Sequence, residues 1–158
     1  MSIFVGLNFT KKTIIMNEQE NTISFFRFED LRIYAKAIDY AIWLHETVTS
    51  FPADKKETLA DMFIKSAQSI ALNIAEGSSR NKAQFVYYLK MAKSSVRECV
   101  VYTELATKLN IMTEEQIEYS RNQLMELTKM IGSLVASLQR SVPANNKDEE
   151  YDDMDDMM

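Results

Sequence analysis

Three glycines, two prolines, one cysteine and one histidine in 158 residues set the first limits on this chain. Sandwiches and barrels need a turn every ~8–12 residues, which so few turn-formers cannot supply. A single thiol, Cys99, can close no disulfide within the chain and suits a reducing compartment. No apolar run reaches the ~20 residues that span a bilayer. The lone histidine, His45, falls on the apolar side of a helical segment and reads as structural. No His/Cys/Asp/Glu spacing matches a zinc site, no Glu-x-x-His pair indicates a di-iron bundle, and no glycine loop can cradle a phosphate. The expectation is a cytoplasmic, non-enzymatic protein with no cofactor, metal, small-molecule substrate or membrane partner.

What the chain has in quantity is helical periodicity. Its length suits one domain with a substantial core, and an apolar fraction of 46% against 26% charged is ordinary for a globular protein. Helix 1 is expected from about Glu29 to Ser50. Leu31, Tyr34, Ala35, Ile38, Ala41, Ile42, His45 and Val48 follow its main stripe, while Ile33, Ala37, Tyr40, Trp43, Leu44 and Phe51 lie on other faces. A helix apolar nearly all round is buried on more than one side, which points to a second subunit. Phe51-Pro52 ends it. Helix 2 follows from Asp54 or Lys55 to Glu76, with Leu59, Met62, Phe63, Ser66, Ile70, Asn73 and Ile74 inward. Gly77 is expected to stop it as a left-handed residue, and a serine or asparagine of the next loop to cap helix 3.

Helix 3 covers about Lys82 to Leu109, with Phe85, Leu89, Ala92, Val96, Cys99, Thr103 and Ala106 as its core stripe. Helix 4 opens on a capping box, Thr113 with Gln116, and carries a seam of Ile117, Ser120, Leu124, Leu127, Ile131, Leu134 and Leu138 to Arg140. Short connections make these an all-α, antiparallel up-down-up-down four-helix bundle over residues 26–140. Residues 1–25 read as a disordered extension. Its first fifteen residues are alternatively a misplaced translation start or a short docked element. Residues 141–158 read as a disordered acidic tail.

Charge is unevenly divided. The net of −5 hides a tail with seven acids against Lys147, so residues 1–140 sum to about +1. At ~100° per residue, Lys82, Lys90, Lys93, Arg97 and Lys108 fall within an arc of about 80° on helix 3, clear of its apolar stripe. Glu104 lies in the same arc. Such clustering serves phosphate binding, because lysine and arginine contacts displace counterions. A merely solvated helix face has the same pattern. The acidic tail either stays solvated or competes with nucleic acid for this surface.

Several runs resemble one family. Phe28-x-Asp30-Leu31, Phe51-Pro52, Ser69-Ile70-x-x-Asn73-Ile74-Ala75-Glu76-Gly77-x-x-Arg80 and Phe85-x-x-Tyr88-Leu89-x-x-Ala92-x-x-Ser95 are similar to those of the 23S rRNA intervening sequence proteins. The likeness spans about residues 26–140. It implies a bacterial four-helix bundle assembling as a ring-shaped homopentamer. It also implies kinship with the accessory proteins of diversity-generating retroelements, which bind nucleic acid through a basic surface. One departure stands out: where the family carries a Gln-x-Arg-Arg-Ala run, this chain has Met62, Ile64, Lys65 and Ser66.

Two functions follow as expectations. The first is a ribosome-associated RNA-binding oligomer, with Lys65, Arg80, Lys82, Lys90, Lys93 and Arg97 on phosphates, and Asn73, Glu76 and Gly77 shaping the helix 2–helix 3 turn. Asn73 is expected to bond across the bundle and Glu76 to pair with Arg80 or helix 3. The second is a scaffolding oligomer that binds a protein partner through apolar helix 1 positions such as Tyr40 and Trp43.

Overall fold

The computed structural model describes residues 25–141. The expectations for the N-terminal extension and the acidic tail therefore lie almost wholly outside the described residues. A 3-10 turn, Arg27–Asp30, leads into α1, Arg32–Thr47. A second such turn, Val48–Ser50, closes α1, and Phe51 is extended as a residue before proline must be. One helical turn, Ala53–Lys55, and a π-helical stretch, Lys56–Ala60, run into α2, Asp61–Ser78. Then come α3, Lys82–Lys108, and α4, Glu114–Arg140. No strand occurs among the described residues.

Each long helix packs on two others: α1 on α2 and α4, and α3 on the same pair. One core results. Tyr40, Leu44, Phe63, Ile70, Ile74, Leu89, Val96, Leu124, Leu127 and Ile131 are buried at its centre. The stripes expected on helices 3 and 4 supply half of these, Leu89, Val96, Leu124, Leu127 and Ile131. Helix 1 is corrected in part: Ala41 and Val48 of its expected stripe are buried, but Ile33, Ala37, Tyr40, Leu44 and Phe51 join them on the buried side, while Ile42 is half exposed and His45 exposed. Because this helix is apolar on most sides, periodicity alone could not choose the inward face. Met62, expected inward on α2, is also about half exposed.

The α2–α3 turn holds a second correction. Gly77 is not a left-handed stop: no glycine among the described residues has positive φ, and α2 continues through Gly77 to Ser78. Its missing side chain serves close packing instead. A Cβ at Gly77 would sit 2.6 Å from Tyr88 Cβ and 2.8 Å from Phe85 Cδ2, so only hydrogen fits between α2 and α3 there. The left-handed stop belongs to Asn110, φ 54°, after α3. Asn110 N–H donates to Thr107 O (3.0 Å) and Ile111 N–H to Ala106 O (2.9 Å), the paired bonds of a Schellman ending.

Both expected caps are present. Asn81 Oδ1 accepts from Gln84 N–H at 2.9 Å. Thr113 and Gln116 exchange their bonds at 3.0 and 3.2 Å.

Candidate nucleic-acid interface

α3 is built to keep a basic face outward. Its buried residues, Leu89, Ala92, Ser95, Val96, Cys99, Thr103 and Ala106, occupy one side of the helix. Lys82, Lys90, Lys93 and Arg97 sit roughly 120° round from the middle of that side. Lys82 and Arg97 are exposed, Lys90 and Lys93 partly so. Lys82 and Lys93 form no ion pair with any described residue. At the far end of the arc Glu104 approaches both Lys108 and Arg121 of α4, at 3.7 Å each. Positive charge is thus concentrated between Lys82 and Arg97, where four cations follow one another with no acid in the arc.

The other two expected contacts do not join this stripe. Arg80, in the turn after α2, reaches back to that helix, with Nη2 and Nε both donating to Glu76 Oε1. That carboxylate, by hydrogen bond first and by charge second, raises the guanidinium pKa above its ordinary value. The Arg80 guanidinium also lies over the Tyr88 ring, 6.0 Å from its centre. Tyr88 is about 160° round α3 from the basic arc. Lys65 is exposed on α2, and its neighbour Ser66 donates to Glu98 Oε2 at 2.6 Å, a residue on the opposite flank of α3. The six residues therefore divide into a continuous set of four on α3 and two separate positions nearer α2.

Asn73 and Glu76 are architectural. Asn73 does not cross directly to another helix: its Nδ2 donates to Ser69 O (2.8 Å) and Ser69 Oγ (3.1 Å). The crossing is made by Ser95 Oγ of α3, which donates to the same Ser69 Oγ at 3.0 Å. Small hydroxyls let α2 and α3 approach while the polar groups satisfy one another.

A buried polar cluster went unread in the sequence. Tyr40 Oη lies 2.8 Å from Ser120 Oγ, and Ser120 Oγ lies 2.7 Å from Thr103 Oγ1, which donates to Cys99 O. It ties α1, α4 and α3 together inside the core. The only signal was two hydroxyl residues, Thr103 and Ser120, within otherwise apolar stripes. Tyr40 is fully buried, so it cannot serve as the exposed partner-binding position expected of it, and Trp43 stacks on Tyr40 and meets Tyr119 at a tilt. Burial pushes the Tyr40 phenol and the Cys99 thiol well above their ordinary pKa values, with Glu98 adding to the effect at Cys99. Cys99 is thus held as a protonated thiol with no access to solvent. Among the described residues, no group of three or more His, Cys, Asp or Glu could hold a metal ion.

Residues 29–133 match the pattern of a family described as 23S rRNA-intervening sequence protein. A solved structure, of a protein of unknown function from the S23 ribosomal protein family of Bacteroides thetaiotaomicron VPI-5482, is similar in fold. It aligns with a TM-score of 0.61 at 24% identity, covering 66% of this chain and 95% of that one. No curated protein matches.

Proposed function

The chain belongs to the 23S rRNA-intervening sequence protein family, and from that premise we propose that it is a non-catalytic, cytoplasmic protein that binds ribosomal RNA through its α3 face. The carrying observation is the uninterrupted set Lys82, Lys90, Lys93 and Arg97 on one arc of α3, outside the core. Lysine and arginine in that arrangement meet phosphates without reading base edges. Lys65 and Arg80 stand apart, so their contribution is secondary.

The helices run up-down-up-down, each antiparallel to its sequence neighbour. Supporting this, α2 meets α3 through Gly77 with Tyr88, Ser69 with Ser95 and Ser66 with Glu98, one series falling as the other rises. The bundle assembles further, as a homopentameric ring. An apolar groove of about 390 Å³ between α1 and α2, lined by Tyr34, Ile38, Ala41, Ala71, Leu72 and Ala75 among others, supports self-association. Leu72 of this lining is 67% exposed. Repeated round a ring, the α3 stripes would add to a strong positive field.

Crosslinking in cells followed by sequencing of the attached RNA tests the proposal. Enrichment of 23S rRNA sequence is expected, and recovery of no RNA above background refutes it. The second reading, a scaffold for another protein, draws on exposed Ile42 and Leu72. It predicts instead one protein partner that stays bound after nuclease treatment.

A further inference from the structure

A cleft where the chain enters α1 belongs to neither the α3 face nor the α1–α2 groove. We infer that it takes a nucleoside 5′-monophosphate unit, with the base on its apolar floor and the phosphate between Arg32 and Lys129. The site stands apart from the α3 face and does not rest on it.

The cleft, about 540 Å³, lies between the start of α1 and the second half of α4. Residues four apart share a helix face, so α4 contributes two rows. Met130 and Leu134 make a half-buried inner row, Lys129 and Ser133 an exposed outer one. Opposite them, the turn into α1 sets half-buried Leu31 between exposed Asp30 and Arg32. An apolar floor under a few convergent polar groups is the usual build of a small-molecule site, and the volume falls within the ~300–1,000 Å³ of such sites. Asp30 and Leu31 belong to the Phe28-x-Asp30-Leu31 run, to which the α3 face gives no task.

The rim narrows the choice of ligand. Elsewhere on the bundle cations are held by local acids, Lys36 by Glu126, Arg80 by Glu76 and Arg121 by Glu104. Asp30, Arg32 and Lys129 line one cleft, yet none forms an ion pair with any described residue. Two cations call for an anion, and arginine bonds phosphate oxygens well. Asp30 beside them disfavours a ligand that is anionic and nothing more, and suits one that also brings N–H or O–H donors. The Met130 thioether favours an aromatic ring. A nucleotide meets all three demands: phosphate for Arg32 and Lys129, a base face for Met130 and Leu134, and base or sugar donors for Asp30. A free amino acid matches the charges but fills only a small part of the volume. The α1–α2 groove has no charged residue in its lining, so the same ligand finds no anchor there.

Methyl-labelled methionine in the full chain reads the site, the Met130 signal being identified by its loss in Met130→Leu protein. Guanosine 5′-monophosphate is expected to move the Met130 methyl upfield and saturably, through the ring current of a stacked base, while Met91 on α3 stays in place. Arg32→Gln and Lys129→Gln should each weaken that binding about tenfold. Asp30→Asn should weaken it too. No saturable movement of Met130, or movement of Met91 alone, overturns the inference. So does an equal effect from ribose 5-phosphate, which has no base. Tighter binding by Asp30→Asn protein also overturns it, since that marks a plain anion site.

The same unit can come free or as the phosphorylated end of an RNA strand. Short oligoribonucleotides with and without a 5′-phosphate separate the two. If only the phosphorylated strand moves Met130, at lower concentration than the mononucleotide, the cleft takes strand ends. If neither strand moves it, the cleft takes the free nucleotide.

Discussion

Replacing Gly77 with alanine puts the close approach of α2 and α3 under direct test. The new Cβ would meet Tyr88 Cβ at 2.6 Å and Phe85 Cδ2 at 2.8 Å, both well inside ordinary contact. Tyr88 Cβ is fixed to the α3 backbone and cannot swing aside, so the helices must part. Overpacking of this kind costs about 1–3 kcal/mol. Against it, alanine gains about 1 kcal/mol of helix propensity over glycine, which leaves a net loss of about 1 kcal/mol. Gly132 is the internal control: it also lies inside a helix, but nothing stands within 4 Å of its added Cβ. Gly132→Ala therefore gains about 0.5–1 kcal/mol. The two variants should differ by about 2 kcal/mol, or roughly 1 M in urea midpoint for a domain of this size, compared at one protein concentration. Gly77→Asn separates the rival explanation. A left-handed stop would accept Asn more readily than Ala, whereas a tight helix contact must find the larger side chain worse. A Gly77→Ala protein as stable as Gly132→Ala, or an Asn variant better than Ala, refutes the close-approach account.

Other consequences are simpler to check. Ser120→Ala removes the hydroxyl that Tyr40 and Thr103 share and strands a buried phenol. It should lower unfolding free energy by about 1–3 kcal/mol, while Tyr40→Phe, which leaves Ser120 bonded to Thr103, costs about 1 kcal/mol in urea melts. Asn110→Ala should destabilise by about 1 kcal/mol and Asn110→Gly not at all, since φ 54° suits glycine. Tyr40 and Cys99 both hold their protons more tightly folded than unfolded, relative to ordinary values of 10.0 and 9.0. The stability this confers is fully present below those unfolded values and is lost as pH rises above them, by about 1.4 kcal/mol per pH unit for each group. The urea midpoint should therefore fall between pH 9 and 11, and a Tyr40→Phe, Cys99→Ala protein should show a flatter decline.

Helices 3 and 4 were legible because each has an apolar stripe at steps of three and four residues that coincides with its buried side, although Val101 and Tyr87 of α3 lie exposed outside it. The Thr113 capping box was legible because its chemistry is local, whereas the loop before α3 offered a serine or an asparagine and the structure selects Asn81. α1 was legible as a helix but not in orientation: with apolar residues on most sides, only tertiary packing could select Ile33, Ala37, Tyr40 and Leu44. Gly77 misled because glycine serves two purposes, positive φ and close contact, and sequence does not distinguish them. The π-helical turn Lys56–Ala60 left no mark that spacing rules detect. On the candidate surface, helical angles place the α3 cations on one arc of a helix that the structure contains. They could not foresee that Glu76 and Tyr88 would draw Arg80 away from that group.

Salt-dependent binding of a labelled 23S rRNA fragment to the intact protein and to Lys82→Glu, Lys90→Glu, Lys93→Glu, Arg97→Glu protein tests the central claim most directly. Four phosphate contacts on single-stranded RNA give a log–log slope of about −2.8, or a loss of about fifty-fold between 50 and 200 mM salt. The intact protein is expected to show at least that slope, and the charge-reversed protein to bind weakly with a slope near zero while keeping its helical content. Equal affinity and equal slope in the two proteins would contradict the account.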